Sequence, residues 1–173
     1  MKICFMAFAL FPVFLTGQVN YSLNNFAFLI GDWQGVESGL AGDGIGFRTY
    51  SWELNKNYIM VKNASHFPKS DKNPRGEVHR DIGIMSYNSN DSSVVLREFH
   101  VEGFTNIYVL DIAESTDSSY IFISREIENN PGNWRACLTI KILPDKEFTE
   151  IFEIATDGQN FKEWLRNHWF KID

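Results

Sequence analysis

Residues 26–33 of this chain read FAFLIGDW, and the tripeptide Gly31-Asp32-Trp33 separates an apolar stretch from strand-like segments that continue to the C-terminus. A Gly-x-Trp at the start of the first strand of a small all-β chain indicates a closed barrel with a ligand cavity. The tripeptide is short, and its position before a long series of strands adds to its weight. It informs the architecture and says much less about the ligand.

Length and composition point to one β-rich domain. A chain of 173 residues suits a single domain with one hydrophobic core. Phe is the commonest aromatic residue, with 15 copies, and aromatic side chains favour pleated, half-buried surfaces. The formal net charge is -6, and Lys and Arg are scattered rather than clustered. We therefore expect no nucleic-acid partner.

Residues 1–17 have the pattern of an export signal. Lys2 supplies a positive charge, residues 3–15 are almost wholly apolar, and Thr16-Gly17 offers small residues before Gln18. The apolar run is shorter than the roughly 20 residues that a membrane-spanning helix needs. We expect a cleaved signal, a secreted or periplasmic protein without a membrane span, and one mature domain over 18–173. An N-terminal anchor or a buried first element is the alternative.

The cysteines exclude two kinds of site in the mature chain. Cys4 lies within the predicted signal, so Cys137 would be the single cysteine that remains. An internal disulfide and a cysteine-based metal site are then impossible. Cys137 lies in an apolar strand candidate with no His or basic residue directly beside it. We interpret it as a buried, inert thiol.

The rest of the chain predicts consecutive β-hairpins. A short helix over 23–30, which Ser22 can cap, is followed by strand-like segments separated by turns rich in Gly, Asn, Asp and Pro. These segments are 33–38, 47–54, 58–67, 77–87, 94–101, 104–113, 120–125, 134–143, 148–156 and 160–171. Closure removes the two exposed edges of such a meander. We predict an all-β, roughly ten-stranded antiparallel up-and-down barrel, wide enough to hold a cavity.

The Glu102-Gly103 turn predicts which side chains point inward. A two-residue loop pairs Val101 with Phe104 and creates one face that is more aromatic and carries a lone Arg. We take this face as the cavity side, although a slip of one residue would reverse the assignment. The candidate ligand-binding residues on it are Arg97, Phe99, Asn106 and Tyr108.

Arg97 is the residue that we expect to anchor a ligand. An Arg inside an apolar barrel is costly unless an anion pairs with it. That anion is either a ligand carboxylate or Asp81, and the sequence leaves both open. The register that avoids a like-charge contact between Asp81 and Glu98 also turns His79 toward the cavity.

Other chemistry-bearing residues support binding rather than catalysis. Tyr50 and Trp52 share one face of the second predicted strand with Arg48, where a flat ligand could stack or the rings could simply fill the core. The four His residues show no metal-ligand spacing, so we expect no protein metal site. His79 and Asp81 lie two residues apart without an evident nucleophile, which favours a structural hydrogen bond over acid–base chemistry. We expect no enzyme activity.

The stretch 28–35, FLIGDWQG, resembles the opening of calycin-type barrels, the group that contains lipocalins and fatty-acid-binding proteins. The blocks 79–87, HRDIGIMSY, and 96–104, LREFHVEGF, resemble an uncharacterised family of bacterial lipocalin-like barrels. The resemblance implies that Trp33 packs at the closed end under a basic residue of the last strand. Arg166 is the first candidate for this residue and Lys171 is the other, with a cation–π contact worth roughly 0.5–2 kcal/mol.

The strand count is similar to that of the fatty-acid-binding and nitrobindin branch. Nitrobindin-like barrels bind haem through one His near the C-terminal strand, and His168 is the matching candidate. The hairpin around Asp157-Gly158 turns His168 outward, however. Our first expectation is an exported barrel without a cofactor that binds a small hydrophobic or amphipathic molecule. A haem barrel with His168 as axial ligand, and a packed scaffold or interaction protein, are the alternatives.

Overall fold

The computed structural model describes residues 21–40, 42–130 and 132–172, so the predicted signal segment lies outside the described residues. A short 3₁₀ helix, Leu23–Leu29, precedes the strands. The ten strands of the described residues are β1 Gly31–Gly39, β2 Gly42–Glu53, β3 Tyr58–Phe67, β4 Glu77–Asn88, β5 Ser93–His100, β6 Thr105–Leu110, β7 Ser119–Glu128, β8 Arg135–Leu143, β9 Glu147–Ala155 and β10 Lys162–Ile172.

The strands form a closed antiparallel barrel. Each strand pairs with its neighbours in the chain, and β1 pairs with β10 to close the sheet. The prediction of a ten-stranded up-and-down barrel with a short N-terminal helix is confirmed. Among the helices of the described residues, none is both long enough and apolar enough to span a membrane.

Glycines beside Trp169 allow the barrel to close around a large ring. Gly35 of β1 pairs with Trp169 of β10 and also with Gly46 of β2. A Cβ added at either Gly35 or Gly46 would lie 2.6 Å from an atom of the Trp169 indole. The two glycines therefore provide the space that this fully buried ring fills.

The helix closes one end of the barrel. Phe26 and Leu29 are fully buried and pack into a core that contains Trp33, Phe122 and Phe148. The Trp33 indole Nε1 donates a 2.6 Å hydrogen bond to the Leu29 carbonyl, which ties the first strand to the helix. The resemblance implied that Trp33 packs at the closed end, and Trp33 lies in the core beside the helix there.

The basic partner of Trp33 is Lys171, so the predicted pairing with Arg166 is wrong. Lys171 is opposite Trp33 in the β1–β10 register, and its Nζ lies 5.3 Å from the centroid of the Trp33 ring. Arg166 pairs with Ser38, near the other end of β1, and its guanidinium binds the Glu163 carboxylate on the surface. Lys171 was the second candidate from sequence.

The prediction that Arg97 and Phe99 face the cavity is also wrong. The β5–β6 register pairs Phe99 with Thr105, because the connecting turn spans residues 101–104 rather than two residues. This difference of one residue in register reverses which side chains of β5 face the cavity. Phe99 is 47% exposed, and Arg97 donates a hydrogen bond to Ser86 outside the barrel.

On β6 the inward-facing residues are the ones that the sequence predicted. On β5 the inward-facing residues are instead the neighbours of the predicted ones. Glu98 pairs with Asn106 and Leu96 pairs with Tyr108. Asn106 and Tyr108 are buried, as predicted. The β4–β5 register pairs Asp81 with His100, so Asp81 does not lie opposite Glu98.

Candidate functional site

A cavity of about 580 Å³ occupies the half of the barrel that lies away from the helix. Its rim includes Leu40, Asn73, Glu102, Asn129 and Trp134, which belong to the turns after β1, β3, β5 and β7. In an antiparallel meander these turns lie at the same end of the barrel, opposite the 3₁₀ helix. The cavity therefore has a mouth at one end and a floor in the middle of the barrel.

The wall near the mouth is largely apolar and aromatic. Its side chains come from several strands and turns, so that no single segment of sequence defines it. The larger ones are Phe67, Phe104, Ile127, Trp134, Phe152 and Trp164. Such a wall can bury the apolar body of a small molecule.

The floor contains a buried guanidinium, and it belongs to Arg48. Arg48 donates from Nη1 and Nη2 to the two carboxylate oxygens of Glu150, at 2.6 and 3.1 Å. It also donates to Asn63 Oδ1 at 3.0 Å and to the Tyr50 hydroxyl at 3.1 Å, and it lies 4.3 Å from the centroid of the Trp169 ring. The internal Arg with an anionic partner that we expected at Arg97 exists at Arg48.

Two further carboxyl groups in the cavity have unusual pKa values. Glu37 is 3% exposed; burial raises its pKa, although a hydrogen bond from Ser65 and the charge of Arg48 oppose the shift. Burial raises the pKa of Glu98 to about 8, and the charges of Asp81 and Glu150 add to the effect. Burial therefore favours the protonated form of both carboxyl groups, and a hydrogen-bond donor beside either one would stabilise its ionised form.

A cluster of imidazoles and carboxylates lies at the mouth. His79 Nδ1 is 2.9 Å from Glu102 Oε1, and His79 Nε2 is 3.3 Å from Asp81 Oδ2 and 3.4 Å from His100 Nδ1. His100 Nε2 in turn lies 3.1 Å from the Asn106 amide nitrogen. The cluster joins β4, β5, β6 and the β5–β6 turn.

The pKa values of the two imidazoles shift in opposite directions. Burial disfavours the His79 cation, but hydrogen bonds to Asp81 and Glu102 outweigh this and raise its pKa to about 9. Burial lowers the pKa of His100. Burial also opposes ionisation of Asp81, yet the hydrogen bond from His79 and the charge of Arg48 hold the Asp81 pKa below its usual range. His79 is thus a cation between two carboxylates, with a neutral His100 beside it.

Several acceptor atoms at the floor have no donor among the described residues. They are Glu37 Oε2, Asn106 Oδ1 and Asn167 Oδ1, each on a side chain that is at most 3% exposed. Glu37, Asn106 and Asn167 all line the cavity. Buried polar atoms without a partner are costly, so these oxygens favour a ligand that donates hydrogen bonds.

The structure brings three of the sequence-predicted ligand residues to the cavity. His79, Asp81 and Asn106 line it. Tyr50 and Tyr108 are buried beneath it, and the partly buried Trp52 packs against the same core. Their proposed roles in binding stay predictions.

His168 lies on the outer face of the barrel, where its Nε2 is 2.7 Å from Glu147 Oε2 and its ring stacks on Phe170. It pairs with Val36, a residue that is 56% exposed. The placement that the haem alternative required, with His168 inside the barrel, is therefore wrong. The alternation along β10 that turns Trp169 inward turns His168 outward.

Sequence reasoning missed Glu37, Glu98, His100, Glu150 and Asn167 as members of the site. One signal could have found Glu37. Trp33 points inward at the closed end, and the period of two along a strand then turns Gly35 and Glu37 inward as well. The same period of two, counted from Phe148 and from Trp169, turns Glu150 and Asn167 inward. Glu98 and His100 depended on the β5–β6 register, which the turn alone did not settle.

No family model matches this chain, and no curated protein matches it. Among solved structures it is similar to Rv2717c from M. tuberculosis, with a TM-score of 0.64 and 16% sequence identity over 87% of this chain and 97% of that one. At this identity the likeness shows the fold alone. The ten-stranded closed barrel fits the calycin-like architecture in its coarse features.

Proposed function

We propose that this protein is a calycin-type barrel that holds one small amphipathic molecule in its interior and catalyses no reaction on it. The observation that carries the proposal is the cavity of about 580 Å³, with an apolar wall near the mouth and unpaired acceptors at the floor. Its volume lies within the roughly 300–1,000 Å³ of ordinary small-molecule pockets.

The apolar wall would supply most of the binding free energy. Burial of a hydrocarbon or aromatic body contributes about 25 cal/mol per Å² of apolar surface removed from water. Phe104, Trp134 and Trp164 line the cavity from its turns and from the bulge in β10. An elongated molecule would therefore enter from the rim and lie along the barrel axis.

The floor supports a ligand whose polar end donates hydrogen bonds. Asn167 Oδ1 is an acceptor without a donor among the described residues, and Glu37 Oε2 is a second such acceptor when its carboxyl is ionised. Arg48, which would attract an acidic head group, is already held by both oxygens of Glu150. In place of the acidic head group that the sequence left open as one alternative, we therefore propose an amine, amide or hydroxyl group.

Export forms part of the same proposal. The charged start, apolar run and small residues of 1–17 support a cleaved signal and a secreted or periplasmic protein. A carrier outside the cytoplasm would hold an apolar molecule that has low solubility in water. N-terminal sequencing of the protein from the extracytoplasmic fraction tests this, and a start at Met1 would contradict it.

A fluorescence titration with two dansylated alkyl probes tests the binding. The probes have the same chain and end in a primary amine or in a carboxylate. We expect saturable binding of one amine probe per chain and weaker binding of the carboxylate probe. Phe104→Ala should weaken binding, while Phe99→Ala, on the outer face, serves as the matched control. Absence of saturable binding by both probes would contradict the proposal and favour a scaffold role.

A further inference from the structure

His79, His100 and Glu102 converge at the rim of the cavity although the sequence separates them. His79 lies on β4, His100 ends β5, and Glu102 lies in the turn that follows. One ligand atom from each residue lies within 4.8 Å of the other two. We propose that these three side chains bind one Zn²⁺ ion at the mouth of the barrel.

The spacing of the donor atoms suits a small divalent ion. Zinc bonds of about 2.0–2.2 Å in a tetrahedron place neighbouring ligand atoms about 3.3 Å apart. His79 Nδ1 and Glu102 Oε1 are 2.9 Å apart, and the ligand atoms of the three residues, one from each, lie within 4.8 Å of one another. The Glu102 side chain is 43% exposed and belongs to a turn, so its carboxylate can rotate into the position of the third zinc ligand.

Each imidazole has a partner for the ring nitrogen that the ion would not use. If His79 binds the ion through Nδ1, which lies beside Glu102, its Nε2 faces Asp81 Oδ2 at 3.3 Å, and Asp81 is a carboxylate outside the proposed ligand set. Such outer partners fix the tautomer and orientation of zinc-binding His residues.

Asn106 provides a second, independent observation. Its side chain is 1% exposed, its Nδ2 lies 3.1 Å from His100 Nε2, and its Oδ1 has no partner among the described residues. An ion on His100 Nδ1 would place the proton on Nε2. A half-turn of the Asn106 amide would then let Oδ1 accept this N–H and the Tyr108 hydroxyl proton, and it would place Nδ2 where the unpaired oxygen now lies.

The donor set favours zinc over harder cations. Two imidazoles and one carboxylate suit Zn²⁺, whereas Mg²⁺ and Ca²⁺ prefer sites made of oxygen ligands. Three protein ligands leave a fourth position open toward the cavity, for water or for a ligand atom. This site does not depend on the amphipathic ligand, and the competing explanation is a hydrogen-bonded cluster around a protonated His79.

Equilibrium dialysis of the chelator-treated full chain against ZnCl₂, with zinc measured by mass spectrometry, tests the site. We expect one Zn²⁺ per chain and an affinity lowered about tenfold or more in His100→Ala and Glu102→Gln. Glu147→Gln and His168→Ala are matched controls, because this pair is also a His–carboxylate contact but lies on the outer face. They should bind zinc as the unchanged chain does.

Two results would overturn the assignment. One is the absence of stoichiometric zinc on the unchanged chain, and the other is unchanged affinity in Glu102→Gln and His100→Ala. Because Glu102 is exposed in a turn, Glu102→Gln should fold normally, and circular dichroism checks this. Co²⁺ provides a second readout, since the d–d bands of a four-coordinate site should be present in the unchanged chain and lost in both variants.

Discussion

Arg48 and Glu150 form a two-point ion pair inside the barrel, with Nη1 2.6 Å from Oε2 and Nη2 3.1 Å from Oε1. Arg48 lies on β2 and Glu150 on β9, so the pair crosses the interior between strands that are not neighbours. Asn167 also donates to Glu150 Oε1, at 3.1 Å. The pair neutralises two charges at the cavity floor and leaves Arg48 unavailable for an acidic ligand.

Removal of one partner of this pair should strongly destabilise the protein. Arg48→Met leaves the Glu150 carboxylate buried and uncompensated, which costs about 3–5 kcal/mol. Urea unfolding measures the loss. Arg166→Met is the control, because its pair with Glu163 is exposed and such pairs contribute about 0–1 kcal/mol. Equal effects of the two substitutions would contradict the buried ion pair.

Glu37→Gln should change how stability depends on pH. The pKa of Glu37 is raised by burial, so the folded state holds its proton at pH values where the unfolded chain has lost it. Stability from this group is complete below its ordinary pKa and is lost as the pH rises through the higher folded value. Relative to the unchanged chain, Glu37→Gln should therefore gain stability as the pH rises above about 4.3, the ordinary pKa of Glu.

Urea unfolding at a series of pH values measures this change. Glu114→Gln, in the exposed loop between β6 and β7, should show no comparable trend. A Glu37→Gln variant that loses stability relative to the unchanged chain as the pH rises would show that the buried carboxyl prefers to be ionised.

Gly35→Ala should disturb the closure of the barrel. Its Cβ would lie 2.6 Å from the Trp169 ring, and overpacking of this kind costs about 1–3 kcal/mol. Trp169→Phe removes part of the ring that the methyl group meets. The double variant should therefore lose less stability in thermal unfolding than the sum of the two single variants. Simple additivity would argue against the contact.

Lys171→Met should loosen the closed end more than Arg166→Met does. Lys171 lies over the Trp33 ring and donates to the Phe28 carbonyl, whereas Arg166 is exposed. We expect a loss of about 0.5–2 kcal/mol from the cation–π contact. Chemical unfolding followed by tryptophan fluorescence measures it, and a larger effect at Arg166 would restore the pairing that the sequence favoured.

The order and number of strands followed from the sequence because each turn carries its own local signal. Asp157-Gly158 and the other polar turns marked where the chain reverses, and alternation marked the strands. Closure also followed, since a long meander has two edges to protect. Tyr108 and Asn106 were placed inside because β6 alternates as expected.

The site was harder to predict because it depends on register and on closure. A turn at 101–104, longer than the two residues assumed, moved Arg97 and Phe99 outside and brought Glu98 and His100 inside. The contact of Arg48 with Glu150 joins strands far apart in sequence. No local pattern reports such a contact, because it exists only after β1 pairs with β10.

Native mass spectrometry of the protein, purified from cells without added ligand, tests the central claim most directly. We predict one small-molecule adduct per chain that is lost when Ile154→Trp fills the cavity. It should be retained in Ile151→Trp, on the outer face of the same strand and paired with Arg166. An adduct that survives Ile154→Trp, or a chain that never carries one, would contradict a ligand inside the barrel.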